Sequence, residues 1–154
     1  MNYRICIVDD SKVLCTHLLE KFLEFEDLDI VGIAHNYSDA IKQINLTKPD
    51  ATILDIQMPG GSGIGILEYI KKTRASNKVI IFTNYPYPQY RQRCMEAGAD
   101  FFFDKHTEFN ELFNIVKRII EEFKTQKQKQ KSLENFNIEN EETSKKNVSE
   151  NIDD

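Results

Sequence analysis

Cysteine is scarce: Cys6, Cys15 and Cys94 are an odd, scattered set among 154 residues, with no CxxC pair. That spacing excludes a disulfide framework and a CxxC metal site, and it leaves core or half-buried thiols. Also missing is any apolar run near the roughly 20 residues that cross a membrane, and the start MNYRICIVDD has no charged leader ahead of an apolar stretch. Both absences predict a soluble, cytoplasmic protein without membrane insertion. Basic residues are in the minority, 20 Lys+Arg against 25 Asp+Glu for a net charge of −5. A net-acidic chain without a basic stripe argues against direct contact with nucleic acid. Two phosphate-binding signatures are absent as well. The first strand-to-helix turn reads Asp9-Asp10-Ser11 where GxGxxG would stand, and GxxxxGK[ST] occurs nowhere, which removes the dinucleotide fold and the P-loop. Gly60, Gly61, Gly63 and Gly65 do cluster, but behind an Asp and a Pro, and they read as a flexible loop.

What is present is an alternation of short apolar runs with helix-length amphipathic segments. The runs are Ile5 to Val8, Ile30 to Ala34, Ala51 to Leu54, Val79 to Phe82 and Phe101 to Phe103. Strands that alternate with helices predict repeated βα units, hence an α/β fold with a five-stranded parallel sheet covered by helices on both faces. Leu14, Leu18, Leu19 and Phe22 recur at helical spacing, and Ala40, Ile41 and Ile44 do so behind Ser38 as N-cap. Two further helices are predicted over Gly63 to Arg74 and Gln89 to Ala97. A last one, with Thr107 as its cap, carries Phe109, Leu112, Phe113, Val116, Ile120 and Phe123 on one stripe. From Lys124 to Asp154 the composition shifts to 6 Lys and 7 acidic residues, with few large apolar side chains. Such a segment cannot bury enough apolar surface to offset its conformational entropy. The expected organisation is therefore one domain over 1–123 and a charged, disordered tail over 124–154.

In an open parallel sheet the carboxyl ends of the strands share one edge, and ligands bind beyond it. The first strand ends in Asp9-Asp10, the third in Asp55, the fourth in Thr83, and the fifth reaches Lys105. Each has an ordinary reading as a helix cap, a loop cap, a strand-end hydroxyl or a surface cation, but five such residues on one edge argue for a site. Three carboxylates a few ångströms apart repel one another, and a hard divalent cation removes the conflict. Oxygen ligands without His or Cys point to Mg2+. A lysine and a hydroxyl beside the metal supply donors for the oxygens of a transferring phosphoryl group.

These residues carry a resemblance. VDD ends the first strand, Asp55-Ile56-Gln57-Met58-Pro59 spells D-x-x-M-P, a threonine ends the fourth strand, and Gly98-Ala99-Asp100 leads through a strand to Lys105. From Tyr3 to Phe123 the chain resembles the receiver domain of bacterial two-component response regulators. The resemblance implies a flavodoxin-like, doubly wound sheet in the order 2-1-3-4-5. It also implies that Asp55 accepts a phosphoryl group from the phosphohistidine of a sensor histidine kinase or a histidine phosphotransfer protein. Asp10, Asp55 and the backbone carbonyl of Gln57 would hold Mg2+, with Asp9 acting through water. Thr83 and Lys105 would bind phosphoryl oxygens, and Phe102 would be the aromatic whose rotamer follows Thr83. The protein would then be a phosphorylation-controlled switch, catalysing only its own phosphorylation and dephosphorylation, and acting as a monomer or a phosphorylation-dependent dimer.

Three positions depart from the family's habit. Asn84 follows Thr83 where a small residue is common. His106 follows Lys105 where proline is usual and often cis, and a cis bond before His106 would cost about 2.5–4 kcal/mol. Phe102 has no hydroxyl, so any switch there works by packing. His106 and His17 read as plain surface residues, and Tyr85-Pro86-Tyr87-Pro88 as a rigid lead-in to the fourth helix. The polar segment after Phe123 is too short for a DNA-binding module, which predicts output through a downstream effector protein. Two other roles fit the same residues: a phosphorelay intermediate or phosphate sink, and a phosphate-independent adaptor that keeps the acidic pocket.

Overall fold

The computed structural model describes residues 1–150. In chain order the elements are β1 (Tyr3–Val8), α1 (Lys12–Phe22), β2 (Leu28–Ala34), α2 (Tyr37–Thr47), β3 (Ala51–Leu54), β4 (Gln57–Met58), β5 (Gly61–Ser62), α3 (Gly63–Thr73), β6 (Lys78–Thr83), α4 (Pro88–Glu96), β7 (Phe101–Asp104) and α5 (Phe109–Glu150). All five apolar runs are strands of one parallel sheet in the order β2-β1-β3-β6-β7. Counting only the strands of that sheet, the order is 2-1-3-4-5, the doubly wound flavodoxin-like arrangement. The extra pair β4 and β5 is a two-residue antiparallel hairpin that the alternation of long elements does not announce.

Continuous apolar runs form the inner strands because helices cover both faces, leaving no solvent side to call for alternation. On one face Cys6, Val8, Leu54, Val79 and Ile81 join side chains of α2, α3 and α4 in a closed cluster. On the other, aromatic rings pack together: Phe22 against Phe113 at 5.1 Å, Phe109 against Phe113 at 5.3 Å, and Phe82 against Phe109 at 5.8 Å. Each such pair contributes about 0.5–1.5 kcal/mol beyond its buried area. The three cysteines are buried and free. At the amino end of the sheet, Lys71 donates to Asp100 at 2.8 Å and to the Asn77 carbonyl at 2.7 Å, while the Asn77 side chain donates to the Pro49 carbonyl. This network ties α3 to the loops and leaves the opposite edge open for chemistry.

Local rules account for most boundaries. Ser11 caps α1 by accepting from the Leu14 N–H at 3.2 Å, and Ser62 caps α3 by accepting from Ile64 at 3.1 Å. Helix α2 is capped by Asn36, which accepts from Asp39 at 2.8 Å, and not by Ser38 as predicted. Both residues suit a cap, and the helix begins at the half-buried Tyr37, two residues earlier than a cap at Ser38 implies. Likewise Thr107 lies outside α5, whose first carbonyl acceptor is Glu108, bonded by Leu112.

The chain divides into two units, Met1–Lys117 and the part from Arg118 onward. The division falls six residues before the expected boundary at 123. The larger correction concerns the tail: residues 124–150, expected without structure, are helical as the outer part of α5. Their few apolar side chains rule out burial, and every residue from Lys124 to Glu150 is indeed exposed. They do not rule out a helix, because the stretch holds no Gly or Pro and is rich in the strong helix formers Lys, Gln and Glu. Hydrogen bonds one turn apart, such as Gln130 to Glu134 and Thr143 to the Glu139 carbonyl, run along it. The last part of the predicted tail, 151–154, lies outside the described residues.

Candidate functional site

Backbone pairing fixes where the polar strand ends meet. The Asp9 N–H donates to the Ala34 carbonyl at 3.0 Å, tying the end of β1 to β2. The Asp55 N–H donates to the Val8 carbonyl at 3.0 Å, tying the end of β3 to β1. The Lys105 N–H donates to the carbonyl of Thr83, the last residue of β6, at 2.9 Å. Adjacent parallel strands therefore deliver these side chains to one edge, as expected from the sheet order.

There the Lys105 ammonium lies between two carboxylates, 2.5 Å from Asp9 Oδ2 and 2.8 Å from Asp55 Oδ2. The three side chains are only 9%, 4% and 6% exposed. Asp10 is exposed, and oxygens of Asp9, Asp10 and Asp55 all lie within 4.8 Å of one another. Burial raises the Asp9 pKa, an effect that hydrogen bonds from Lys105 and the Ser11 N–H only partly offset. For Lys105, burial works against the charge, yet bonds to Asp55 and Asp9 outweigh it and hold the ammonium more firmly protonated than usual. Three carboxylates and one ammonium leave a formal −2, confined to hard oxygen donors with an exposed side at Asp10. That donor set fits a hard divalent cation such as Mg2+, which takes carboxylate oxygens and keeps several waters.

The remaining predicted residues line the same edge or its flank. Thr83 is fully buried, and its hydroxyl accepts from the Tyr85 N–H at 3.1 Å. Gln57 is exposed at the start of the hairpin, with its N–H 3.5 Å from Asp55 Oδ1. Phe102 is buried at 4% exposure, its ring covered by the Arg91 guanidinium at 5.5 Å. Asn84, His17 and His106 are exposed, and the His106 N–H donates to Asp104 Oδ1 at 2.8 Å. Among the described residues no peptide bond is cis, which includes Lys105-His106.

Two residues escaped the sequence reading. His35 Nδ1 lies 2.9 Å from the Asp9 carbonyl oxygen, and the Cys15 thiol lies 3.6 Å from the same oxygen. They fix the backbone of the residue whose side chain pairs with Lys105. Cys15 was legible only as a helix-stripe position, and His35 follows β2 with no spacing to mark it. The pairing of β2 with β1 is what brings it to Asp9.

The chain is similar to the uncharacterized transcriptional regulatory protein YvfU of Bacillus subtilis (strain 168), 32% identical over 117 residues that cover 76% of this chain and 58% of that protein. This chain thus spans less than two thirds of the relative it matches. Among solved structures it is similar to a DNA-binding response regulator of the LuxR family from Staphylococcus aureus, with 28% identity, a TM-score of 0.70 and coverage of 76% of this chain and 98% of that one. It is also similar to the CheX-CheY-BeF3-Mg+2 complex from Borrelia burgdorferi, with 27% identity, a TM-score of 0.68 and coverage of 76% and 88%. Residues 5–117 match the response regulator receiver domain family. By that match the chain belongs to the receiver domains, signalling domains of phosphorylation-dependent two-component systems that bind Mg2+ in an acidic pocket.

Proposed function

We propose that Asp55 accepts a phosphoryl group from the phosphohistidine of a partner kinase or phosphotransfer protein. The observation that carries this reading is the Lys105 ammonium bonded to both Asp9 and Asp55, with Asp10 within 4.8 Å. An Asp55 carboxylate oxygen attacks phosphorus, the P–N bond breaks as the O–P bond forms, and the imidazole leaves with the bonding pair and takes up a proton. Asp9, Asp10, Asp55 and the Gln57 carbonyl would hold Mg2+, which when bound offsets the charge that gathers between carboxylates and phosphoryl oxygens. Lys105 exchanges one carboxylate contact for a phosphoryl oxygen. Thr83 turns its hydroxyl from the Tyr85 N–H toward another.

The new contacts favour a second arrangement of the face made by α4, β7 and the first turns of α5, reached through Phe102 beneath Arg91. A protein effector that prefers that arrangement binds more tightly, and the net charge of −5 supports a protein over nucleic acid as the direct partner. Hydrolysis of the acyl phosphate resets the switch. Intact-mass measurement after incubation with acetyl phosphate tests the reading. One phosphate adduct is expected in the wild type with Mg2+ and none in Asp55→Asn. An equal adduct in Asp55→Asn, or none in the wild type beside a control receiver that is modified, would overturn it.

A further inference from the structure

The segment that follows Asp55 is shaped by a contact with the distant residue Tyr37. The Tyr37 N–H, in the first turn of α2, donates to the Pro59 carbonyl at 3.0 Å. Its ring occupies the space beside the hairpin. A Cβ built on Gly61 would stand 2.5 Å from Tyr37 Cδ2 and 2.9 Å from Cγ, and one on Gly65 would stand 3.4 Å from Cε2. A ring anchored on a helix gives way less easily than the tip of a flexible chain, so Gly61 and Tyr37 are complementary: the missing side chain of one is filled by the other. Gly60 completes the turn at φ +83°, a conformation that L side chains rarely adopt. At Gly63 the constraint is different, because a Cβ there would overlap the Asp55 carbonyl oxygen. Gly60, Gly61 and Gly63 are therefore demanded by turn geometry and close approach, and flexibility is not their purpose, whereas a Cβ at Gly65 would make only ordinary contact.

The pairing of β4 with β5 carries the contact toward the site. Met58 pairs with Gly61 and Gln57 with Ser62, so a ring pressed on Gly61 sets the position of the strand that holds Gln57. Gln57 is two residues from Asp55 and directs its N–H toward that carboxylate. We propose that Tyr37 is a positioning residue of the acidic site, its ring seated against Gly61 and Gly65 so that the hairpin presents the Gln57 carbonyl to the divalent cation. This inference rests on the metal reading given above.

Calorimetric titration of the 154-residue chain with Mg2+ provides the test, using Tyr37→Ala, Tyr37→Phe, Gly61→Ala and the Tyr37→Ala/Gly61→Ala double variant. Residues that orient metal ligands typically change affinity by 10–100-fold when removed, so Tyr37→Ala and Gly61→Ala are each expected to weaken Mg2+ binding about tenfold. Tyr37→Phe keeps the ring and binds as the wild type does. The double variant binds no more weakly than Tyr37→Ala alone, because the clash that Gly61→Ala introduces needs the ring. Unchanged affinity in Tyr37→Ala, even with a lowered melting temperature, would reduce Tyr37 to a packing role and overturn the inference. So would full additivity of the two single effects. Hydrogen exchange of the amides over 57–63 in metal-free protein separates this from the metal reading. Faster exchange in Tyr37→Ala when the wild type binds no Mg2+ would overturn the metal reading while leaving the hold of Tyr37 on the hairpin in place, and unchanged exchange overturns that hold itself.

Discussion

Asp9 and Asp55 both lie within hydrogen-bond distance of Lys105, and all three are nearly closed to solvent, whereas from Lys124 to Glu150 every residue of α5 is exposed. Both regions are rich in carboxylates and ammonium groups. In the first, charges stripped of water must be answered by named partners, so each side chain has one position and removing any of them leaves a deficit. In the second, the side chains face water, and contacts one turn apart, such as Gln130 with Glu134 or Lys127 over the Phe123 ring, add little because solvent competes with each of them. What distinguishes a site from a solvated face is therefore the burial that makes each charge depend on the others.

The sharpest way to break this comparison is to remove one cation from each region. Lys105→Met leaves Asp9 and Asp55 buried without their counter-charge and is expected to cost about 3–5 kcal/mol of unfolding free energy in metal-free buffer. Lys129→Met, on the exposed helix, is expected to change stability by no more than about 0.5 kcal/mol. Urea unfolding followed by circular dichroism reads both. Equal costs would show that the buried cluster draws no special stability from its lysine.

Apolar side chains extend the contrast at somewhat smaller cost. Ile81, fully buried in the middle of β6, loses about 2–5 kcal/mol on truncation to alanine, from transfer and the cavity left behind. Leu133, 62% exposed, loses no more than about 0.5 kcal/mol in Leu133→Ala. The same unfolding experiment measures the pair. A large cost at Leu133 would mean that the outer part of α5 has a packing partner in solution.

The difference between the regions also explains what could be read in advance. The five strands of the parallel sheet, four to seven residues long, were legible because short apolar runs have only one use in a βα alternation. The residues that end them were legible because a parallel sheet sends all carboxyl ends to one edge. Asp9, Asp10, Asp55, Thr83 and Lys105 follow from those two facts. The helix over 124–150 was missed because sparse apolar residues report on burial alone, while the signal for a helix lay in the run of Lys, Gln and Glu without Gly or Pro. The β4 and β5 hairpin was missed because two-residue strands are too short to show a period. Tyr37 on Gly61, and His35 on the Asp9 carbonyl, join segments more than twenty residues apart, and spacing along the chain carries no trace of such contacts.

The smallest perturbation, a single thiol, still separates the two regions. Burial pushes Cys6 up to about 12 and Cys15 and Cys94 up to about 11. The reactive species is the thiolate, so at pH 8 a group with a pKa near 11 is ionised to only about one part in a thousand, before access is considered. Raising the pH increases that fraction tenfold per unit, but the unfolded thiols, with a pKa of about 8.5, ionise first. The folded protein should therefore lose stability above about pH 9 before its cysteines become reactive in place. With iodoacetamide at pH 8, intact mass is expected to show no adduct on the folded wild type and one on each of Cys6, Cys15 and Cys94 after denaturation in urea. Ser132→Cys places a further thiol on the exposed helix, where an ordinary pKa and open access give one rapid adduct while the native cysteines stay silent. Labelling of a native cysteine as fast as the thiol introduced by Ser132→Cys would mean that the sheet and its helices open far more often than their burial implies.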